Sequence, residues 1–153
     1  MATERSNPYG AFNFLVTATP FGNTGTIYAG FQEISGLSIE VTVAEYRNGN
    51  DKQNYTRKMN GLAKVGDITL KRGLIGKTDF FEWIKQTIDG VQTVRINVKI
   101  ELLDEAHTST PVMTWILTNA RPMKYSGPSL NAKSGTDVAI EELVLSCERM
   151  EIE

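Results

Sequence analysis

Cysteine and histidine are almost absent from this sequence. The chain of 153 residues contains one cysteine, Cys147, and one histidine, His107. One cysteine excludes an internal disulfide, and its strand-like surroundings favour a buried, inert thiol. With one histidine, any catalytic triad or histidine-based zinc site would have to use His107. No other candidate ligands stand at a supporting spacing from it. We therefore predict no catalytic, cofactor-binding or metal-binding residue, and no enzyme.

Long apolar runs and an excess of one charge are absent as well. The 16 Lys and Arg residues nearly balance the 18 Asp and Glu residues, which favours neither nucleic acid nor an anionic membrane as a partner. No apolar run approaches the roughly 20 residues that cross a bilayer, and the first residues lack the apolar core of a cleaved signal. We therefore expect cytoplasmic synthesis and no membrane segment. The length predicts one domain over residues 1–153.

Two short stretches imitate an ATPase. The segment "GLIGKT", Gly73 to Thr78, resembles a phosphate loop, but the glycine required five positions before Gly76 is replaced by Lys71. The letters "DEAH" recur in "LLDEAHT", although they follow an alternating strand and not a buried parallel one. We therefore predict that Asp104 to Thr110 form a polar turn.

Alternation of apolar and polar residues predicts an antiparallel β protein. The clearest run extends from Thr93 to Leu102, and other runs predict strands at 12–19, 27–34, 37–43, 67–71, 112–118 and 138–152. A bulge is expected at Glu141–Glu142, where the alternation slips. One helix is predicted over 79–89, with an apolar stripe of Phe81, Ile84 and Ile88 and with Trp83 beside it. This set favours a closed or nearly closed antiparallel barrel with the helix over one open edge.

A long connection separates two of the predicted strands. Residues 46–64 are rich in Asn, Gly, Lys and Arg, and connections of this length in compact domains are usually functional or mobile. Five basic side chains raise the possibility of nucleic acid, but two tyrosines alone are interleaved with them and the chain is slightly acidic. We therefore expect this loop to contact a protein partner.

Several motifs, in this order along the chain, resemble one family. They are "NPYGAFNFLV", the strand entry "FQEISGL", the segment "KRG" that leads into the helix with Trp83, and the elbow "PMKYSGPSLNA" before the last strand. Together they are similar to the inner-tube proteins of contractile phage tails and of phage-tail-like extracellular contractile injection systems. The resemblance implies a mainly β fold, a six-stranded antiparallel β-barrel or sandwich with one α-helix and a long inter-strand loop.

The resemblance also implies a function. Subunits of this family form hexameric rings that stack into a hollow tube, which a contracting sheath drives into a target. It implies the sheath, baseplate, spike and tube-terminator proteins as partners, cargo or DNA in the lumen, and a virion-like or extracellular particle as the final location. The resemblance implies that residues 46–64 are an extended hairpin or loop that reaches the adjacent subunit or ring, and the candidate contacts are Tyr46, Arg47, Asn48, Asn50, Lys52, Tyr55, Arg57 and Lys58. Candidate lumen-facing residues are Arg95, Asn97, Lys99 and Glu101.

Two other functions stay open at the level of sequence. A ring of the related type VI secretion tube protein would also hold effectors as a chaperone. A monomeric barrel would bind an apolar small molecule, although the many bulky apolar residues are enough to fill a small barrel.

Overall fold

The computed structural model describes residues 4–19, 27–92, 95–133 and 135–153, with the backbone alone at 27–29. The predicted strand residues Thr93 and Val94 therefore lie outside the described residues. The elements, in chain order, are β1 (Phe14–Thr19), β2 (Ile27–Ala29), β3 (Glu33–Ser35), β4 (Ile39–Tyr46), β5 (Arg57–Val65), β6 (Ile68–Gly73), α1 (Asp79–Ile88), β7 (Ile96–Leu102), β8 (Met113–Ser126), β9 (Ile140–Ser146) and β10 (Arg149–Ile152).

The described strands form an open, antiparallel sandwich. Their order is β2-β1-β7-β8-β9-β6-β3, and β10 pairs with β8 beside this path. The 14-residue strand β8 serves both layers, because its first half pairs with β7 and β10 and its second half pairs with β9. Register shifts at Ile96/Val98 and at Pro122/Lys124 allow the long strand to pass from one layer to the other. The prediction of a mainly β fold with one helix is confirmed, in its sandwich form and not as a closed barrel.

Alternating apolar side chains fill the space between the layers. Ile96, Val98 and Ile100 of β7 are all buried, as the period-two pattern predicted. They join a core cluster to which β6, β8 and β9 also contribute, with Ile68, Leu117, Leu143 and Leu145 completely buried. Burial of this kind is the main favourable term in folding.

The helix begins at Asp79 as predicted and ends at Ile88, one residue before the predicted end, but it buries a different face. Phe80 and Trp83 are buried, whereas Phe81 and Ile88 of the predicted stripe are 53% and 74% exposed. The predicted stripe was therefore wrong for Phe81 and Ile88, whereas Ile84 is half-buried. Phe80 takes the inner position because its ring stacks on Phe31 at a centroid distance of 5.9 Å.

Strand β9 runs without the bulge predicted at Glu141–Glu142, so that expectation was wrong. Its pairing with β6 is continuous from Ile68 opposite Leu145 to Gly73 opposite Ile140, and the irregularity lies on β8 instead. Glu141 consequently shares the buried face with Leu143 and Leu145. The strand tolerates a buried carboxylate because a cation from β6 lies against it, as described below.

Gly36, in the segment "FQEISGL", is fixed by close backbone packing. Its φ of +87° lies in the left-handed region, and a Cβ at this position would approach Asp67 O to 2.1 Å. The chain can therefore pass from β3 to β4 against the turn between β5 and β6 if this residue is glycine. No helix among the described residues is long and apolar enough to cross a membrane.

Candidate assembly surface

The stretch "LLDEAHT" forms the turn predicted for it. Asp104 accepts hydrogen bonds from the backbone N–H and the hydroxyl of Thr108, both at 2.9 Å, and His107 adopts a φ of 56°. Glu105 accepts hydrogen bonds from Arg5 at 2.7 Å and from the Gly10 N–H at 3.2 Å. The bond from Arg5 is the main reason that the pKa of Glu105 falls to about 2. The Asp104 carboxylate therefore stabilises the turn, and the Glu105 carboxylate fastens the N-terminal segment to it.

Metal and thiol chemistry find little support in the described residues. The searched residues hold no group of three His, Cys, Asp or Glu side chains that could bind a metal ion. Cys147 is half-buried, and burial, with a smaller contribution from Asp67, raises the pKa of its thiol. A thiol that is harder to ionise is less reactive.

The segment "KRG" contributes a buried charge cluster that the sequence analysis missed. Arg72 is 2% exposed and donates hydrogen bonds to Glu141 of β9 and to Asp79, the first residue of α1. Its guanidinium also lies 3.7 Å from the centre of the Phe80 ring, and the Tyr125 hydroxyl donates to Glu141 at 3.0 Å. The cluster joins two strands of the sheet to the start of the helix.

The charges of this cluster stabilise one another. Although burial by itself raises it, the hydrogen bonds and charge of Arg72 hold the pKa of Asp79 below its usual value. Burial and the bond to Glu141 raise the pKa of Tyr125. The one available sequence signal was a glutamate in phase with the apolar residues of β9, which indicates that a buried cation must compensate it.

Much of the predicted 46–64 loop is a strand. Residues Arg57–Val65 form β5, which pairs with β4 from Ile39 opposite Val65 to Tyr46 opposite Arg57, and residues 47–56 connect the two. The result is a two-stranded hairpin that lies outside the eight-stranded sheet. The predicted loop was therefore an extended hairpin, because Asn, Gly and Lys residues obscured the alternation in β5.

Both faces of this hairpin expose apolar side chains. Val41 and Val43 of β4 project to one face and are 48% and 54% exposed. Met59 and Leu62 of β5 are 59% and 85% exposed and project to the other face, because each lies next to a partner of one of these valines and the register shifts between the two pairs. The sequence predicted a half-buried strand here, and that burial does not occur within one subunit. An isolated two-stranded hairpin is at best marginally stable in water, so we expect a partner to cover each face.

The predicted contact residues of the hairpin lie together around its tip. Arg47 donates to Gln53 O, Asp51 O and Asn54 Oδ1 at 3.2–3.4 Å, and the N–H of Asn48 donates to Asp51 Oδ2 at 3.1 Å. The hydrogen bonds of these two residues shape the tip, and Arg47 is also exposed. The remaining candidates are exposed and can meet a partner: Tyr46, Asn50, Lys52, Tyr55, Arg57 and Lys58.

The predicted lumen residues lie on the solvent side of β7 and just before it. Arg95, Asn97 and Lys99 are exposed and Glu101 is partly exposed, whereas the residues between them are buried. The structure brings them beside β10 through their common neighbour β8. The sequence predicted the alternation in β7, but it did not predict that β10 lies on the other side of β8.

An apolar groove opens between the two layers. It has a volume of about 310 Å³ and is lined in part by Phe14, Ile34, Leu37, Ile100 and Trp115. The groove lies at the surface, while the interior is filled by the completely buried side chains of the core. This arrangement gives little support to a barrel that encloses an apolar ligand.

The structure is a β-sandwich with a separate hairpin that exposes apolar side chains on both faces, which is typical of a structural subunit. The family comparison agrees: residues 10–151 match the family of the T4-like virus tail tube protein gp19. The chain belongs to this family and is a structural subunit of a tail tube, which confirms the resemblance seen in the sequence. A search of curated proteins found no match.

Solved structures place the chain near contractile injection systems. A chain of the extracellular contractile injection system PVC sheath-tube complex, in the extended state, is 30% identical, with 97% of this chain and 93% of that chain covered and a TM-score of 0.77. A chain of the anti-feeding prophage (AFP) baseplate is 29% identical, with 97% of each chain covered and a TM-score of 0.83. Hcp1 from Flavobacterium johnsoniae, at 14% identity over 90% of this chain and 94% of that chain and a TM-score of 0.51, shares the fold alone.

Proposed function

We propose that this subunit forms hexameric rings that stack into the hollow inner tube of an extracellular contractile injection system or contractile tail, and that cargo passes through the tube. The observation that carries the proposal is the β4–β5 hairpin, whose two faces both expose apolar side chains in the single subunit. One neighbouring copy can cover one face, so a hairpin apolar on both sides fits between surfaces of an assembly.

The relatives supply the proposed partners. The similar solved structures are described as a sheath-tube complex, a baseplate and a tube terminating cap. By analogy, the tube that this chain forms lies inside a sheath, begins at a baseplate with its spike and ends at a tube terminator. It is made in the cytoplasm and becomes part of a particle that acts outside the cell. Joining subunits through their strand edges and hairpins also covers unpaired strand edges, which would otherwise promote aggregation.

Electron microscopy of the purified chain, before and after removal of the hairpin, tests the assembly. Val41 and Ala63 are cross-strand partners, so residues 42–62 can be replaced by an Asn-Gly turn that joins them. The shortened protein should keep the far-UV circular dichroism spectrum of a folded β protein, since the hairpin lies outside the main sheet, but should form no tubes. Tubes of normal form from this variant would overturn the assembly role of the hairpin.

The same images separate the other functions. Unstacked rings that carry a bound effector would indicate the type VI-like chaperone, and monomers of the unaltered chain would indicate a ligand-binding sandwich. The proposal also holds that the chain catalyses no reaction. Mg²⁺-dependent ATP hydrolysis that is lost in Asp104→Asn would overturn that part.

A further inference from the structure

The sequence contains two Asn-Gly pairs, and both lie in the β4–β5 hairpin. Asn48 and Gly49 lie in the connection between the strands, and Asn60 and Gly61 lie within β5. Asn-Gly is a dipeptide prone to deamidation, because glycine has no side chain that keeps its backbone nitrogen away from the asparagine amide. The hairpin therefore holds the same chemical group in two different backbone settings.

Asn48 begins a tight turn at the tip of the hairpin. The N–H of Asp51 donates to Asn48 O at 3.1 Å, and the N–H of Asn48 donates to Asp51 Oδ2 at 3.1 Å. Gly49 is the second residue of this turn, so the closing bond uses the N–H of Asp51 and not that of Gly49. Gly49 is exposed, and a Cβ there would meet no atom of the described residues within 4 Å, its chain neighbours apart. Solvent therefore reaches the backbone beside the Asn48 amide.

The side chain of Tyr46 contacts the same amide. Its hydroxyl donates a hydrogen bond to Asn48 Oδ1. This oxygen gains negative charge when a nucleophile attacks the amide carbon, and a donor that is already in place stabilises the charge. The Tyr46 hydroxyl thus has the position of an oxyanion donor for attack by the neighbouring backbone nitrogen.

The second Asn-Gly pair has a different environment. Asn60 lies opposite Val43 in the ladder. A Cβ on Gly61 would lie 2.4 Å from Thr42 Oγ1, and the Thr42 hydroxyl donates to Leu62 O at 3.1 Å, so β4 packs closely against this part of β5. Attack on the amide requires rotation of the asparagine backbone, and a strand held in a ladder resists that rotation more than a turn does. We therefore expect the two pairs to react at different rates.

We propose that Asn48 and Gly49 form a site of spontaneous deamidation, assisted by the Tyr46 hydroxyl, that ages the tip of the hairpin. The Gly49 nitrogen attacks Asn48 Cγ and gives its proton to a solvent base. The Cγ–Nδ2 bond breaks, the leaving nitrogen takes a proton from water, and ammonia departs from a succinimide ring. Water then opens the ring at either carbonyl and gives aspartate or isoaspartate. The net reaction consumes water and releases ammonia.

Either product changes the tip. A carboxylate at position 48 lies beside that of Asp51, and two like charges at such a distance repel each other. Isoaspartate also adds a carbon atom to the backbone of the turn. The consequence for assembly rests on the proposed tube: an aged subunit should join a tube poorly, whereas a tip covered within the tube meets less water and ages more slowly. Deamidation would then remove subunits that stay unassembled.

Peptide mapping by mass spectrometry measures the reaction in the full chain, incubated at mildly alkaline pH and below the concentration at which tubes form. Loss of the amide should be faster at Asn48 than at Asn60 by roughly tenfold or more, with isoaspartate among the products. Tyr46→Phe should slow the loss at Asn48 by about threefold to tenfold, the effect of one typical hydrogen bond. Equal rates at Asn48 and Asn60, or an unchanged rate in Tyr46→Phe, would overturn the proposal.

A synthetic peptide of residues 44–55 is the matched control, because it has the same sequence without the paired strands. Tyr46→Phe should leave the rate in this peptide unchanged. Equal slowing in the chain and in the peptide would contradict the role of the folded tip, since the effect would then come from the local sequence.

Assembly is measured separately, by sedimentation of tubes. Asn48→Asp imitates one product and should raise the concentration needed for tube formation more than Asn60→Asp, which makes the same charge change on the same hairpin. Equal effects would overturn the consequence for assembly without altering the rates of deamidation. If the unaltered chain forms no tubes, the proposed function fails and the consequence for assembly fails with it, while the rates still decide whether Tyr46 assists the reaction.

Discussion

At the scale of single residues, Arg72 shows how a buried charge can be tolerated in a β-sandwich. Its guanidinium meets two carboxylates, Asp79 and Glu141, and the flat face of the Phe80 ring. Each carboxylate comes from a different element, so one side chain links β6, β9 and α1. A buried ion cluster is a weak source of net stability, but removal of one member leaves an uncompensated charge.

Arg72→Met should therefore destabilise the subunit by about 3–5 kcal/mol, because two carboxylates lose their cation. Lys71→Met is the matched control on the same strand. Lys71 points to solvent and lies 3.7 Å from Glu33, so its loss should cost about 0–1 kcal/mol. Urea unfolding of hairpin-deleted subunits, which avoids effects of assembly, measures both values. Equal losses would mean that the cluster contributes no more than a surface pair.

A second prediction at this scale concerns Glu105 and pH. Arg5 lowers the pKa of Glu105 from 4.5 to about 2, so the ionised carboxylate favours the folded state. Its contribution is present above pH 4.5 and is lost as the pH falls toward 2. The difference in Tm between the unaltered chain and Glu105→Gln should follow this course and should largely vanish in an Arg5→Met background. A difference independent of pH would contradict the assignment.

At the scale of elements, the alternation of apolar and polar residues predicted the strands that have one buried face and one exposed face. β7 is the clearest case, because its inner residues are buried and its outer residues are polar. The bulge in β9 was predicted wrongly, since the partner that permits a buried Glu141 comes from Arg72, distant in the sequence. The helix face was also wrong, because adjacent phenylalanines at 80 and 81 allow either to turn inward.

The candidate assembly surface was predictable in position more than in shape. Tyr46 to Lys58 were expected to contact partners, and they lie around the tip of a hairpin. The alternation of Val41 and Val43 predicted a buried face, but both side chains are exposed in the single subunit, and the cover by a second copy is part of the proposed assembly. If the proposed tube covers this face, the pattern records burial in the assembly and not burial in the subunit.

The two faces of the hairpin can be tested separately. Val41→Ser with Val43→Ser alters one face, and Met59→Ser with Leu62→Ser alters the other. All four side chains are exposed in the subunit, so each substitution should change its stability by no more than about 0.5 kcal/mol. Each pair should raise the concentration needed for tube formation at least tenfold, measured by sedimentation. An effect from one pair alone would mean that one face is covered.

At the scale of the whole molecule, the subunit leaves apolar surface uncovered at places other than the hairpin. Leu130 and Val138, in the connection between β8 and β9, are 84% and 76% exposed, and Ile88 at the end of α1 is 74% exposed. Scattered exposed apolar residues are ordinary, but a two-faced hairpin added to them makes the free subunit a poor final state. We therefore expect folding and assembly to be linked.

This linkage predicts that the Tm depends on protein concentration. A partner that binds the folded form alone stabilises it by mass action, by about 2.7 kcal/mol at a hundredfold excess over its Kd. For a domain of this size, that corresponds to roughly 5–10 °C. The unaltered chain should show an increase of this order when its concentration rises a hundredfold through the range where tubes form. The variant with residues 42–62 replaced should have the same Tm at every protein concentration. An equal rise in its Tm would show that the concentration dependence does not come from the hairpin.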